Sequence, residues 1–129
     1  MKKSSLPKPT DAELSILRVL WRRGPSTVRQ VYEEWNARQP TGYTTVLKLM
    51  QIMVEKGLLK RDDTERSHVY RATLAEEETQ RQLVGHLLER AFSGSAQKLV
   101  MQALSAKKAT PEELAEIRRL LDQMEGDSK

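Results

Sequence analysis

The 129 residues are enough for one domain or two small ones, and 38% hydrophobic against 31% charged residues marks a charge-rich globular protein. The lack of cysteine excludes disulfides, thiolate metal sites and cysteine nucleophiles, and it suits a cytoplasmic protein. The net charge of +4 is uneven: residues 1–73 hold 14 Lys+Arg against 8 Asp+Glu, a net of +6, while residues 74–129 hold 8 against 10, a net of −2. A basic half suited to a polyanion is thus joined to a mildly acidic half with some other task.

Residues 1–9 read as a flexible arm, in which Lys2, Lys3 and Lys8 are either solvated or in reach of phosphates. Met1–Ser5 begins like a signal peptide, but Leu6-Pro7-Lys8-Pro9 stands where an apolar run is needed. No later stretch approaches the ~20 apolar residues of a membrane span, so no membrane partner is expected.

Thr10-Asp11-Ala12-Glu13 is a capping box, and Leu14, Leu17 and Trp21 follow at helical spacing until Gly24-Pro25 forbids continuation. Thr27-x-x-Gln30 opens a second helix with Val28, Val31, Tyr32 and Trp35 on its apolar side. It stops before Pro40, and Arg29 and Arg38 lie off that side, where they can reach phosphates. A third helix over about 42–56 carries Val46, Leu49, Met50 and Met53 on one side and Thr44, Thr45, Lys48 and Gln51 on the other, and Gly57 ends it. Such a helix is most simply a half-buried surface helix. What precedes and follows it favours a helix that reads DNA.

After Gly57 the period changes. Leu58–Arg61, a polar turn over 62–67 and His68–Ala72 read as a β-hairpin. Three short helices followed by a hairpin make a winged helix-turn-helix. The wing, 62–68, carries Arg66 and Ser67 at its tip, with Arg61 and Arg71 flanking it.

From Leu74 the chain is helical again. Glu76-Glu77-Glu78 loads the start of a fourth helix with negative charge, and Leu83, Val84, Leu87 and Leu88 form its stripe. Ser93-Gly94-Ser95 interrupts. Leu99, Val100 and Leu104 mark a fifth helix. Thr110-Pro111-Glu112-Glu113 starts a sixth, striped by Leu114, Ile117, Leu120, Leu121 and Met124 and closed by Gly126. Some 56 residues are too few for a good core. Residues 74–129 are therefore expected to be a helical dimerisation domain, with Leu83, Leu87 and Leu88, then Leu99, Val100 and Leu104, then Leu114, Ile117 and Leu121 at a two-fold interface. The alternative is that they fold back on residues 10–73. The fold class is mainly α: an N-terminal winged helix-turn-helix with a small β-hairpin, and a C-terminal three-helix segment.

Catalysis has no constellation to support it. His68 and His86 lie in different units, no H-E-x-x-H, phosphate loop or G-x-S-x-G occurs, and the paired glutamates sit at helix starts. No enzyme, metal or cofactor is expected. For DNA, the third helix fits the ~12 Å major groove. Thr44 and Thr45 offer hydroxyls and methyls, Lys48 reaches guanine or phosphate, Gln51 reads adenine, and Leu47 gives an apolar contact. Tyr43 can bond a phosphate, Arg66 and Ser67 hold the backbone or the neighbouring minor groove, and Arg61 beside them is a further DNA-binding candidate. A dimer implies a pseudo-palindromic operator.

Leu6-Pro7, Thr10-x-x-Glu13-Leu14-x-Ile16-Leu17-x-x-Leu20-Trp21, Tyr43-Thr44-Thr45-Val46, Glu55-Lys56-Gly57-Leu58-Leu59 and Val69-Tyr70 resemble the BlaI/MecI/CopY family of bacterial repressors, the penicillinase repressors. The likeness continues, more loosely, through Lys98-Leu99-Val100 and Thr110-Pro111-Glu112-Glu113-Leu114-x-x-Ile117-x-x-Leu120-Leu121. It implies a homodimeric winged-helix repressor that occludes a promoter, with a regulatory protease as a further partner. Two departures stand out. Where the family is cut at Asn-Phe, this chain has Gln102-Ala103, and the cysteine pairs of copper-responsive members are missing. The rival readings are a winged-helix protein-interaction module and a transcriptional activator.

Overall fold

The structure is a computed structural model that describes residues 6–64 and 66–127. The arm lysines Lys2 and Lys3 lie outside the described residues, as does Glu65 in the expected wing turn. The described chain runs α1 (Asp11–Arg23), α2 (Val28–Arg38), α3 (Tyr43–Lys56), β1 (Leu59–Asp62), β2 (Val69–Ala72), α4 (Glu76–Ala91), α5 (Ala96–Ala106) and α6 (Pro111–Asp127). It divides into two compact units, residues 1–85 and 86–129, and the division falls inside α4.

Helix starts follow local chemistry. Thr10 Oγ1 accepts from the Glu13 amide at 3.2 Å while Glu13 Oε1 accepts from the Thr10 amide at 2.9 Å. Thr27 with Gln30 and Thr110 with Glu113 repeat this reciprocal pair, each satisfying two orphan N–H groups. α3 ends in a Schellman turn: Gly57 takes φ 87°, its amide bonds Val54 O, and the Leu58 amide bonds Met53 O at 2.9 Å. α6 runs through Gly126 to Asp127, past the glycine expected to close it.

The core of the first unit is aliphatic, as the scarcity of aromatics requires. Ile16, Leu17 and Leu20 of α1, Val28 and Val31 of α2, and Val46, Met50 and Met53 of α3 are buried together with Leu58, Leu59 and Tyr70. Trp21, Tyr32 and Trp35 pack against it only in part, and the Trp21 indole N–H donates to Leu74 O at 3.0 Å. β1 and β2 pair antiparallel in the register Leu59 with Ala72 and Arg61 with Tyr70. Ser26, in the α1–α2 connection, adds a third edge: its backbone exchanges two hydrogen bonds with Tyr70, at 3.0 and 2.8 Å. The hairpin is thus fastened to the helices.

Two tethers extend this unit beyond the hairpin. Thr79 is buried, and the Gln82 amide group donates to Leu6 O at 2.7 Å. Pro9 is buried, and a Cβ on Gly57 would stand 3.0 Å from Leu6 Cδ2. The end of the expected arm is therefore seated on the fold, and the first turns of α4 lie within the first compact unit.

α5 and α6 contrast with this, since none of their described residues is buried. Of the residues expected at a dimer interface, Leu83, Leu88, Leu99, Leu114 and Ile117 are half-buried, while Leu87, Val100, Leu104 and Leu121 are 37–56% exposed. Among the described residues no helix is long and apolar enough to cross a membrane.

Candidate nucleic-acid interface

α3 presents two faces because its apolar residues recur at i, i+4 and i+7. Val46, Met50 and Met53 are completely buried, which turns Thr44, Thr45, Lys48 and Gln51 outward, all exposed. Leu47 lies off this stripe, partly buried against the core, so it flanks the outward face. Ile52, four residues after Lys48 and seven after Thr45, stands on the stripe and is 42% exposed. The same periodicity that singles out Thr45 and Lys48 could have found it.

Both ends of α3 are fixed from outside the helix. At its start Gly42 is the N-cap and supplies no side-chain hydrogen bond. Tyr43 is instead held by α2: Tyr32 meets it edge-on with ring centroids 5.7 Å apart, and the Arg29 guanidinium stacks 4.9 Å above its ring. Tyr43 is 38% exposed. Arg29 thereby lies beside the start of α3, an arrangement that its place on α2 alone does not reveal. At the other end Lys56 Nζ bonds Glu13 Oε2 at 2.7 Å. Burial pushes the Glu13 carboxyl up, but the bonds from Lys56 and the Thr10 amide and the Lys56 charge outweigh it. The net effect holds Glu13 below the usual carboxylate range.

The hairpin stands beside α3. A cleft of about 470 Å³ separates them, lined by Gln51, Val54 and Glu55 on one side and Arg61, Asp63 and Tyr70 on the other. Arg61 is not a free cation there. Its Nε lies 2.8 Å from Asp63 Oδ1 and its Nη2 donates to Oδ2 at 3.2 Å. A bond to the Tyr70 hydroxyl, then the bond and charge of Asp63, hold the guanidinium above its ordinary pKa. His68 Nδ1 is 2.9 Å from the same Asp63 oxygen. The wing thus begins with a paired arginine. Asp62 is held below its ordinary pKa by the Thr64 amide, which it accepts at 3.0 Å. Arg66 and Ser67, at the tip, are exposed as expected.

Arg22 and Arg23 of α1 are similarly engaged with Glu34 of α2, at 2.8 and 3.3 Å, and these bonds, Arg22's first, lower its pKa. Lys48, Arg29 and the wing-tip Arg66 are exposed cations outside these ion pairs. Among the described residues no group of three or more His, Asp or Glu side chains could hold a metal ion.

The comparisons with known proteins agree with this geometry. The family model "Penicillinase repressor" matches residues 9–123. The transcriptional regulator BlaI of Mycobacterium tuberculosis is 31% identical over 95% of this chain and 88% of its own length. The penicillinase repressor of Bacillus licheniformis is 23% identical over 100% of this chain and 99% of its own. Among solved structures, the DNA-binding domain of the repressor BlaI superposes with a TM-score of 0.51 at 26% identity, covering 60% of this chain and 93% of that domain. The Bacillus licheniformis BlaI monomer in complex with the blaP half-operator shares the fold at 0.51 and 23% identity, covering 57% and 90%. With its winged helix in place and a family match over nearly its whole length, the chain belongs to the penicillinase repressor family.

Proposed function

We propose that this chain is a DNA-binding transcriptional repressor that occupies a pseudo-palindromic operator as a homodimer. The observation that carries the reading is the outward face of α3: Thr44, Thr45, Lys48 and Gln51 stand exposed over a buried Val46–Met50–Met53 stripe, beside a hairpin with Arg66 and Ser67 at its tip. In the major groove Thr44 and Thr45 give hydroxyl bonds and methyl contacts, Lys48 reaches guanine O6/N7, and Gln51 reads adenine. Tyr43, with Arg29 over its ring, and Arg66 and Ser67 meet phosphates, which set register and not sequence. Arg61 contributes only when it leaves Asp63.

Residues 10–73 serve as the DNA-binding domain and residues 74–129 as the dimerisation domain. The apolar residues left uncovered on α4, α5 and α6 support this, since a segment so short cannot bury them alone. Two copies place two α3 helices on one side of a duplex, with half-sites about 10 bp or a multiple apart. Gln102–Ala103, where the family resemblance places its cut, lies inside α5, so cutting there would require that helix to open first.

Footprinting of full-length protein on DNA upstream of its own and neighbouring genes tests the reading, followed by gel shifts at increasing salt. Binding should fall steeply with salt. Arg66→Ala should weaken all sequences evenly and reduce the salt slope by about 1 per half-site, while Lys48→Ala and Thr45→Ala should change the preferred sequence. Salt-insensitive binding, or no protected site, would favour a protein-interaction module. A protected site upstream of the polymerase elements that raises transcription would make the protein an activator.

A further inference from the structure

The outward face of α3 carries one side chain that its polar neighbours do not explain. Ile52 is 42% exposed, and it belongs neither to the buried core nor to the partly buried side chains packed against it. Thr45 and Lys48 precede it on the same stripe, and Thr44, Gln51 and Glu55 flank it, all exposed. A β-branched residue lowers helix propensity, and here it does not join the buried core in return.

A lone exposed aliphatic is ordinary on most protein surfaces. On a face set against base edges it is not neutral. The major groove offers donors, acceptors and thymine methyls. An alkyl side chain pressed on a donor or acceptor leaves that group desolvated, and only the methyl accepts it without such a cost. Four residues of helix advance about 6 Å, so a contact from Ile52 falls one to two base pairs along from that of Lys48.

We propose that Ile52 is a specificity-determining residue that packs against a thymine C5-methyl in each half-site. This rests on α3 being the groove helix. It assigns that helix an apolar reader one turn beyond the hydroxyl and ammonium readers already described.

The test needs no known operator. Full-length protein selects its preferred duplex from a randomised library, and each thymine of the selected site is then replaced singly by uracil. That exchange removes the methyl and leaves the hydrogen-bonding edges unchanged. Losing one methyl contact, at about the value of one buried CH₂, should weaken binding roughly 4-fold. At one thymine per half-site uracil should produce this loss in wild type and in Thr45→Ala, but none in Ile52→Ala, which should already bind the all-thymine site as weakly as wild type binds a site with uracil at that position in both half-sites. Ile52→Val should keep most of the sensitivity. Indifference of wild type to uracil at every position, or an unchanged uracil penalty in Ile52→Ala, would overturn the assignment. Enrichment of no duplex at all would remove the groove reading of α3 beneath it.

Discussion

The two compact units of this chain solve the problem of apolar surface in opposite ways. The first, through Gly85, buries leucine, isoleucine, valine and methionine from three helices and a hairpin around Val31, Val46 and Met50, which are wholly inaccessible. The second presents stripes of the same residue types on α5 and α6 and buries none of their described residues. Hydropathy patterning is equally strong in both, so patterning identifies which face is apolar without saying what covers it. In the first unit the cover is other parts of the same unit. In the second none of the described residues of α5 and α6 is covered to the point of burial, and the homodimer proposed above would supply the cover.

Charging the uncovered stripes should break that contrast most visibly. Leu104→Glu with Leu121→Glu places two carboxylates on side chains that are 37% and 56% exposed in the single chain, so the isolated fold has little reason to change. In a dimer they would be desolvated at the interface. Sedimentation should show a monomer, and operator affinity should drop by about 100-fold or more as two linked half-sites become independent. The melting of the winged helix should stay where it was. A double variant that still sediments as a dimer would place the interface elsewhere.

A smaller effect, confined to the first unit, should sharpen the claim that it holds itself together. Glu13 is 2% exposed and its cation partner Lys56 is about one-third exposed. Lys56→Met leaves the carboxylate buried without a counter-charge. Breaking a buried pair costs about 3–5 kcal/mol; solvent screening at Lys56 reduces this to roughly 2, readable in urea melts. The sign with pH follows from the lowered Glu13 pKa. The stabilisation is complete above the unfolded glutamate value of about 4.3 and is lost as pH falls through the lower folded value. The gap between wild type and Lys56→Met should therefore close in acid; a constant gap down to pH 2 would assign the loss to Lys56 packing.

Glu13 also marks how far the sequence could be read. Its capping role was legible, because a threonine three residues ahead of a glutamate is a local pattern, and the reciprocal bonds are present. Its bond to Lys56, 43 residues away, was not, since nothing local selects one lysine among several. The same division runs through the candidate site. The exposure of Thr44, Thr45, Lys48 and Gln51 followed from the period of α3, and the hairpin from its alternation. Ser26 as a strand partner of Tyr70, Arg29 over Tyr43, and the capture of Arg61 by Asp63 and Tyr70 all depend on side chains or backbones meeting across elements. Ile52 was within reach of the period, but an apolar residue on a polar stripe reads as noise until its exposure is known.

The smallest expected effect lies inside the wing and separates a cation that is present from one that is available. Arg61 counts toward the basic half of the chain, yet Asp63 meets its guanidinium through two oxygens and His68 approaches the same carboxylate. Asp63→Asn removes the counter-charge and leaves an amide oxygen that can still accept from the guanidinium. The wing then carries one more net positive charge beside the duplex. Surface pairs of this kind are worth well under ~1 kcal/mol, so operator affinity at low salt should rise only about 3-fold. The log–log salt slope should steepen by up to ~1 per half-site, as one more phosphate is neutralised by each wing. Both changes should vanish in Arg61→Gln with Asp63→Asn. If affinity rises equally in that double variant, the gain comes from removing a negative charge near the DNA, and Arg61 makes no phosphate contact even when released.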